Sequence, residues 1–183
     1  MADSRWKNFV KKLNPYMIKK GILYLKHFGF KEFMVRLSDR IEPEEVPYGP
    51  WYEKHRASDE ELERQRKHPL PRQPLISIAV PIYKTPERFL REMIESVQAQ
   101  TYARWELCLA DGSPEDESMN RVLREYVKKD SRIRVRRMKE NLGIVENTNA
   151  ALAMAKGEFV GFLDHDDLLA PDALYELAKC LQK

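Results

Sequence analysis

The stretch 75–111, LISIAVPIYKTPERFLREMIESVQAQTYARWELCLAD, decides the fold of this chain. It begins with LISIAVPIY, an apolar run rich in β-branched residues, and it ends with WELCLAD, a second run of the same kind. Between them, PERFLREMIESVQAQ carries apolar residues at helical spacing, with Pro86 suited to a first helical turn. A strand, a helix and a strand in this order predict a crossover unit with two parallel strands.

The same alternation continues to the end of the chain. After WELCLAD the sequence predicts a polar helix over about residues 115–129, a strand RIRVRRM, a helix VENTNAALAMAK, a strand EFVGFLD and a helix PDALYELAKCLQK. This pattern predicts an α/β fold, a mostly parallel sheet with helices on both faces. RIRVRRM is too charged for a central position, so we expect it at an edge. The nucleotide-binding strand order 3-2-1-4 would then place the second and fourth strands on either side of the first.

Residues 1–74 differ in composition, being basic and aromatic at first and then charged and proline-rich. Two short amphipathic helices that meet near Pro15 are predicted from apolar residues at helical spacing: Trp6, Phe9, Val10 and Leu13, then Ile18, Ile22, Leu25 and Phe28. Their lysines could face anionic lipid at the inner face of a membrane. Helices with interrupted apolar stripes more often pack on a neighbouring domain, and both interpretations stay open. IEPEEVPYGPWYEKHRA predicts a linker, and Ser58 with Glu61 has the capping-box spacing of a short polar helix.

Length and composition limit the class of protein. The 183 residues, of which 43% are apolar, suffice for one compact soluble domain with an appendage. The formal charge of +3 is small and mixed, so we expect no nucleic-acid partner. Cys108 and Cys180 form no disulfide framework, which favours a reducing, cytoplasmic setting. Lysines interrupt the apolar runs near the N-terminus, so we expect neither a signal peptide nor a membrane-spanning helix.

Polar side chains gather where three of the predicted strands end. Tyr83 follows the first strand, Asp111 ends the second, and Asp164 and Asp166 come at the end of the fourth. In such sheets, ligands bind beyond the carboxyl ends of the strands. With the expected strand order, Asp111 and Asp164 lie two strand spacings apart, about 10 Å, a gap that a nucleoside diphosphate spans.

A divalent cation is the expected partner for the diphosphate charge. No glycine-rich phosphate loop follows the first predicted strand. Asp164 and Asp166 supply hard oxygen ligands of the kind that Mg²⁺ or Mn²⁺ prefers. His165 lies between them, but a lone histidine in a turn is more often a hydrogen-bonding neighbour than a ligand. Asp167 could orient the loop, and Asp172 with Pro171 is interpreted as the start of a helix.

Each polar cluster also has an interpretation without function. Asp111 begins the sequence DGSP, which is a good turn in itself, and Asn141 and Asn149 could be a loop residue and a helix-surface amide. Independent turns would not be expected to gather their acids at one edge of a sheet. The clusters taken together therefore favour a functional site over a set of unrelated turns.

Three segments resemble a known family: ISIAVPIYKTPERFLREMIESVQAQTYARWELCLADGSPE, NLGIVENTNAALAMAKGEF and FLDHDDLLAPDAL. They are similar to the nucleotide-sugar-binding half of family 2 glycosyltransferases of the GT-A fold, a Rossmann-like α/β fold, as found in bacterial enzymes of surface polysaccharides. The resemblance implies that Pro81 and Tyr83 line a nucleobase pocket and that Asp111 accepts the N3–H of uracil. Asp164 and Asp166 match the family's D-x-D motif, with Asp164 toward the ribose and sugar and Asp166 on the metal that binds the diphosphate.

The resemblance extends over about residues 75–183 and implies a domain division at that point. Residues 1–74 would be a helical, basic extension and linker, and residues 75–183 the nucleotide-sugar-binding domain. Asn141, Gly143 and Asn149 match the segment that closes over the nucleotide. One departure is Lys84, which stands where family members commonly carry asparagine. The family's general base and acceptor site follow the D-x-D strand and its helix, so we expect the base beyond Lys183.

The expected function is therefore glycosyl transfer. An inverting enzyme of this family would move a sugar from a nucleotide-diphosphate carrier, such as a UDP-sugar, to a glycan or lipid-linked glycan acceptor in cell-surface polysaccharide synthesis, using Mn²⁺ or Mg²⁺. The alternative is a non-catalytic nucleotide-sugar-binding module or partner subunit, because the acceptor half is not in the sequence. A phosphoacceptor signalling domain would need an acidic pair after the first strand, where this chain has PIYK.

Overall fold

The structure, a computed structural model, describes residues 14–40 and 47–182. The chain divides into two compact units, Met1–Arg56 and Ala57–Lys183. The first predicted helix, with Trp6 and Leu13, lies outside the described residues. The predicted domain division between residues 74 and 75 stays a prediction.

The first unit contains two helices in its described part, α1 (Pro15–Arg40) and α2 (Tyr48–His55). α1 is kinked at Gly29, whose φ of 81° and ψ of 171° are not helical. α2 occupies a segment that the sequence predicted as a linker. Its aromatic side chains stack along the helix, with ring centroids 4.6 Å apart for Trp51 and His55, and Pro50 is tolerated because it falls in the first turn.

The second unit begins with α3 (Asp59–Lys67) and then alternates strands with helices. Ser58 Oγ accepts a hydrogen bond of 3.2 Å from the Glu61 N–H, so the predicted N-terminal cap of α3 is confirmed. The alternation that follows is the predicted one: β1 (Ile76–Ile82), α4 (Glu87–Gln98), β2 (Trp105–Asp111), α5 (Glu117–Lys129), β3 (Ile133–Arg137), α6 (Gly143–Leu152), β4 (Phe159–Phe162) and α7 (Ala173–Cys180). α6 begins two residues earlier than predicted, at Gly143.

The four strands form one sheet in the order β3-β2-β1-β4, and every pair is parallel. The predicted strand order and the edge position of the arginine-rich strand β3 are thus confirmed. Asp111 pairs in register with Ile82 on one side and with Arg137 on the other. The carboxyl ends of β1, β2 and β3 therefore finish at the same level.

Helices cover both faces of the sheet. One face packs apolar side chains of β1 and β2 against α4, α5 and α7, in a core that includes Leu90, Met119 and Leu174. On the other face Ala79 and Ala110 of the sheet meet Ala150 and Ala151 of α6. Small side chains allow close packing, so α6 lies near the sheet and its first turn reaches the carboxyl edge.

The described residues contain no helix that is both long enough and apolar enough to cross a membrane. Cys108 is buried and Cys180 exposed, and neither forms a disulfide.

Substitution of Gly157 by alanine is expected to destabilise the second unit. A Cβ at this position would lie 2.6 Å from the Leu75 carbonyl oxygen and 2.7 Å from the Ser77 nitrogen, which are backbone atoms that cannot move aside cheaply. Overpacking of this kind typically lowers the free energy of unfolding by about 1–3 kcal/mol. Urea denaturation of Gly157→Ala and the parent chain measures the difference.

Gly161→Ala is the matched control, since a Cβ at Gly161 would meet nothing within 4 Å. Its free energy of unfolding should stay within about 0.5 kcal/mol of the parent value. Equal denaturation midpoints for the two variants would show that the close approach of Gly157 to β1 is not a constraint.

Candidate functional site

The candidate site lies beyond the carboxyl ends of β2, β1 and β4. Tyr83 directly follows β1, Asp111 ends β2, and Asp164 comes two residues after β4. Because β1 lies between β2 and β4, the sheet brings these three chain segments to one edge. Ligands of open parallel sheets bind at such an edge.

Asp111 is one of the fully buried polar residues of this edge. Its side chain is fully buried, and Oδ1 accepts a hydrogen bond of 2.8 Å from the Ser113 N–H. Among the described residues Oδ2 has no hydrogen-bond partner, and Arg137 Nε lies 3.8 Å from it. Burial raises the pKa of Asp111, while the Ser113 N–H and the Arg137 guanidinium oppose the rise. A buried acceptor without a partner is costly, so this oxygen is suited to a donor from a ligand.

Arg137 was not predicted as a site residue. Its guanidinium donates a 2.5 Å hydrogen bond to Asn120 Oδ1, and Asn120 Nδ2 donates to the Pro114 carbonyl at 3.0 Å. Asn120 is fully buried, so this pair fixes Arg137 beside Asp111. The available signal was the arginine at the end of RIRVRRM, whose charge was used only to place that strand at an edge of the sheet.

A backbone hydrogen bond, from the Gly112 N–H to the Ile82 carbonyl at 2.9 Å, and a side-chain hydrogen bond join the ends of β1 and β2. The Lys84 N–H donates to Ser113 Oγ at 2.8 Å. Lys84 has a φ of 48°, in the left-handed region that asparagine adopts more readily than lysine. Its ammonium lies 5.2 Å from the centre of the Tyr83 ring, which is 40% exposed. Tyr83 therefore presents an aromatic face near Asp111, and Pro81 precedes it within β1.

The first turn of α6 adjoins the turn that follows Asp111. Asn141 Oδ1 accepts from the Gly143 N–H at 3.0 Å and from Asn147 Nδ2 at 2.9 Å. A Cβ at Gly112 would lie 2.6 Å from the same Asn147 nitrogen, so only glycine fits there without displacement. Gly143 has a φ of 87°, which also favours glycine. The structure thus brings Asn141 and Gly143 to the edge of the sheet.

Asn147 is a second residue that the sequence reasoning missed. It is buried, and its Oδ1 has no hydrogen-bond partner. Asn149, which was predicted, is instead exposed on α6. Within the described residues no hydrogen bond joins its side chain to the other candidate residues. The sequence carried no specific signal for Asn147, because its burial depends on how closely α6 packs on the sheet.

Asp164 and Asp166 lie in a turn that the Asp167 N–H closes on the Asp164 carbonyl at 3.2 Å. Both carboxylates are exposed, and Asp166 Oδ1 is 3.8 Å from His165 Nδ1. His165 Nδ1 is itself buried without a hydrogen-bond partner. Across residues 14–40 and 47–182, no group of three or more His, Cys, Asp or Glu side chains is placed to hold a metal ion.

The two carboxylates nevertheless fit a magnesium or manganese ion. Such ions prefer oxygen ligands and usually keep several waters, binding proteins through one or two carboxylates together with phosphate oxygens of a substrate. Asp164 and Asp166 are two of the three exposed acids in this turn, the third being Asp167. A cation there would take its other ligands from water and from a bound phosphate.

The parallel sheet and its flanking helices define an α/β domain of the GT-A type. The family model for glycosyl transferase family 2 matches residues 77–183. The chain belongs to this family.

Relatives and solved structures agree with that assignment. The chain is 50% identical over 101 residues to the uncharacterized protein y4gI of Sinorhizobium fredii, covering 55% of the chain and 11% of the relative. It is 42% identical over 109 residues to the O-antigen biosynthesis protein RfbC of Myxococcus xanthus, covering 60% of the chain and 8% of the relative. The crystal structure of S. aureus TarS residues 1–349 with UDP matches 57% of the chain and 31% of that 1–349 chain, at 28% identity and a TM-score of 0.51. The chain thus spans about a tenth of the length of these two relatives.

Proposed function

We propose that this chain forms the donor-binding part of an inverting glycosyltransferase that takes a sugar from a UDP-sugar for transfer to a glycan acceptor, lipid-linked or free, in cell-surface polysaccharide synthesis. The observation that carries the proposal is the unpartnered Oδ2 of Asp111, buried at the carboxyl edge of the sheet. A uracil ring against Pro81 and Tyr83 would donate its N3–H to this oxygen. Family membership and the similarity to UDP-bound TarS support this choice of base.

The remaining donor contacts follow from the same edge. Asp164 would bind near the ribose and sugar, and Asp166 with Asp164 would hold Mn²⁺ or Mg²⁺. When bound, the cation would neutralise negative charge on the departing diphosphate. Asn141, Gly143 and Asn149 would belong to the segment that closes over the nucleotide, and the hydrogen bond from Asn147 would hold Asn141 beside Gly112.

Inverting transfer needs an acceptor hydroxyl in line with the anomeric carbon and a base for its proton. The hydroxyl oxygen forms the new bond as the bond from the anomeric carbon to the diphosphate oxygen breaks, and the proton passes to the base. We assign the base to no described residue and propose that it follows Lys183, as the family resemblance implies. We propose a cytoplasmic location, where Cys108 and Cys180 would stay reduced.

A thermal-shift series tests the proposal directly. The 183-residue chain is heated with UDP, UDP-sugars, GDP-sugars and ADP-sugars, each with Mn²⁺ and with EDTA. A ligand at 100 times its Kd stabilises the folded state by about 2.7 kcal/mol. We expect the largest rise in Tm with a uridine nucleotide in Mn²⁺. No rise with any nucleotide sugar would contradict the proposal.

Arg137→Ala is expected to move the pH dependence of UDP binding. Binding needs an ionised Asp111, so affinity should fall as the pH decreases through the pKa of Asp111, which burial already raises. Without the guanidinium at 3.8 Å, that pKa rises further and affinity is lost at a higher pH. Below the midpoint, a rise of one pKa unit lowers the ionised fraction about tenfold.

Calorimetric titration of UDP between pH 4.5 and 8 measures this shift. Arg137→Lys is the matched variant, since it keeps the positive charge but loses the planar guanidinium that donates to Asn120. Its pH midpoint should lie between those of the parent chain and Arg137→Ala. Superimposable profiles for all three proteins would show that Arg137 has no influence on Asp111.

A further inference from the structure

Residues 14–37, which include most of α1, fold back on themselves and form a hairpin that we call the basic hairpin. The turn is at Gly29, whose φ of 81° breaks the helix. A Cβ at Gly21 would lie 3.6 Å from Phe33 Cε2, and the Arg36 guanidinium carbon is 4.5 Å from the centre of the Tyr24 ring. The arms before and after Gly29 therefore touch side by side.

The basic hairpin does not bury its own apolar side chains. None of residues 14–37 is buried, and a cleft of about 670 Å³ opens between the arms. Tyr16 and Phe30 are each 70% exposed, and Ile22 and Phe28 are more than half exposed. Large exposed apolar surface marks a site of contact with another surface.

Positive charge accompanies these apolar side chains. Residues 14–37 contain five basic side chains (Lys19, Lys20, Lys26, Lys31 and Arg36) against one acid, Glu32. Lys20 Nζ lies 5.7 Å from the centre of the Tyr16 ring, so cation and aromatic ring are neighbours. Long lysine side chains lie along apolar surface while their ammonium groups reach polar surroundings.

We propose that the basic hairpin docks on the surface of a bilayer that contains anionic phospholipid. Apolar side chains of both arms, such as Ile22 and Phe30, would enter the boundary between headgroups and acyl chains, and the lysines would meet lipid phosphates. Aromatic side chains are favoured at this depth of a bilayer. A lipid surface fits because the exposed apolar and cationic groups are spread along both arms. A continuous layer of anionic headgroups is complementary to positive charge that is spread in this way. The inference does not rest on the proposed function, since the candidate site lies in the second unit.

Flotation of the whole 183-residue chain with vesicles tests the proposal. One set of vesicles is phosphatidylcholine alone, and the other is a 7:3 mixture of phosphatidylcholine and phosphatidylglycerol. We expect at least tenfold stronger partitioning into the anionic vesicles and a clear loss in 0.5 M NaCl, because salt screens the attraction. Equal binding to both vesicles, or binding to neither, would overturn the proposal.

Variants separate the charged and apolar parts of the surface. Lys19→Glu/Lys26→Glu should lower partitioning into anionic vesicles at least tenfold, whereas Lys128→Glu/Lys139→Glu, which changes exposed lysines of the second unit, should not. Tyr16→Ser/Phe30→Ser should weaken vesicle binding through lost apolar contact. The Tm rise with UDP should be unchanged in all of them, so a failure here is distinct from a failure of the proposed function. If the chain sediments as a dimer and does not bind vesicles, a second copy covers the basic hairpin, and the proposal is overturned.

Discussion

Asp166→Ala is expected to abolish the increase in UDP affinity that Mn²⁺ produces. Asp164 and Asp166 are two of the three exposed acids in the turn after β4, and the Asp166 side chain is 58% exposed. Removing groups that only orient metal ligands typically lowers metal affinity 10–100-fold. Loss of a direct ligand should therefore lower UDP affinity in saturating Mn²⁺ by about 100-fold. Calorimetric titration of UDP in Mn²⁺ and in EDTA measures both states.

Asp172→Ala is the matched control for this variant. It removes the same charge a few residues away, at the N-terminus of α7, where its side chain makes no capping hydrogen bond. Its UDP affinity should keep the metal dependence of the parent chain. If the parent chain binds UDP equally well in EDTA and in Mn²⁺, the turn after β4 is not a metal site for the nucleotide.

Most of the fold was predictable because its determinants are local. The apolar runs of β1 and β2 and the helical spacing of α4 lie within one continuous stretch, and crossover geometry then makes the strands parallel. The edge position of β3 was also predictable from a local feature, its arginines, because a central strand has no room for charge. The helix α2 was not predicted within the linker segment, because proline and glycine were given more weight than the aromatic side chains that stack in it, such as Trp51 and His55.

The candidate site was predictable only as far as strand ends define it. Tyr83, Asp111 and Asp164 could be grouped because parallel strands finish at one edge. Arg137 and Asn147 could not, because their contacts depend on tertiary detail. Arg137 reaches Asp111 through strand register, and Asn147 reaches Gly112 because alanines let α6 pack closely on the sheet.

Asp111→Asn is expected to weaken uridine nucleotides far more than inorganic diphosphate. The asparagine oxygen can keep the hydrogen bond from the Ser113 N–H, so its Nδ2 would occupy the place of the carboxylate Oδ2 that now has no partner. Two donors would then face each other, the amide and the N3–H of uracil. A buried donor without an acceptor costs about 1–3 kcal/mol, which is about a 5- to 150-fold loss of affinity. Titrations of UDP and of diphosphate, both in Mn²⁺, measure the two losses separately.

Stability measurements distinguish a lost contact from a lost fold. A carboxyl group with a higher pKa in the folded chain than in the unfolded chain binds more protons when folded, so its contribution to the free energy of unfolding falls as the pH rises through that pKa. Burial gives Asp111 such a raised pKa, with Arg137 and the Ser113 N–H only partly opposing it. Asp111→Asn should therefore become more stable relative to the parent chain as the pH rises from 4 to 7.

Glu115→Gln removes an exposed carboxylate near the same turn and should leave both affinities almost unchanged. A stable Asp111→Asn chain that loses UDP but keeps diphosphate would assign base recognition to Asp111. Equal losses for the two ligands would contradict that role, and the unpartnered oxygen of Asp111 would then need another explanation.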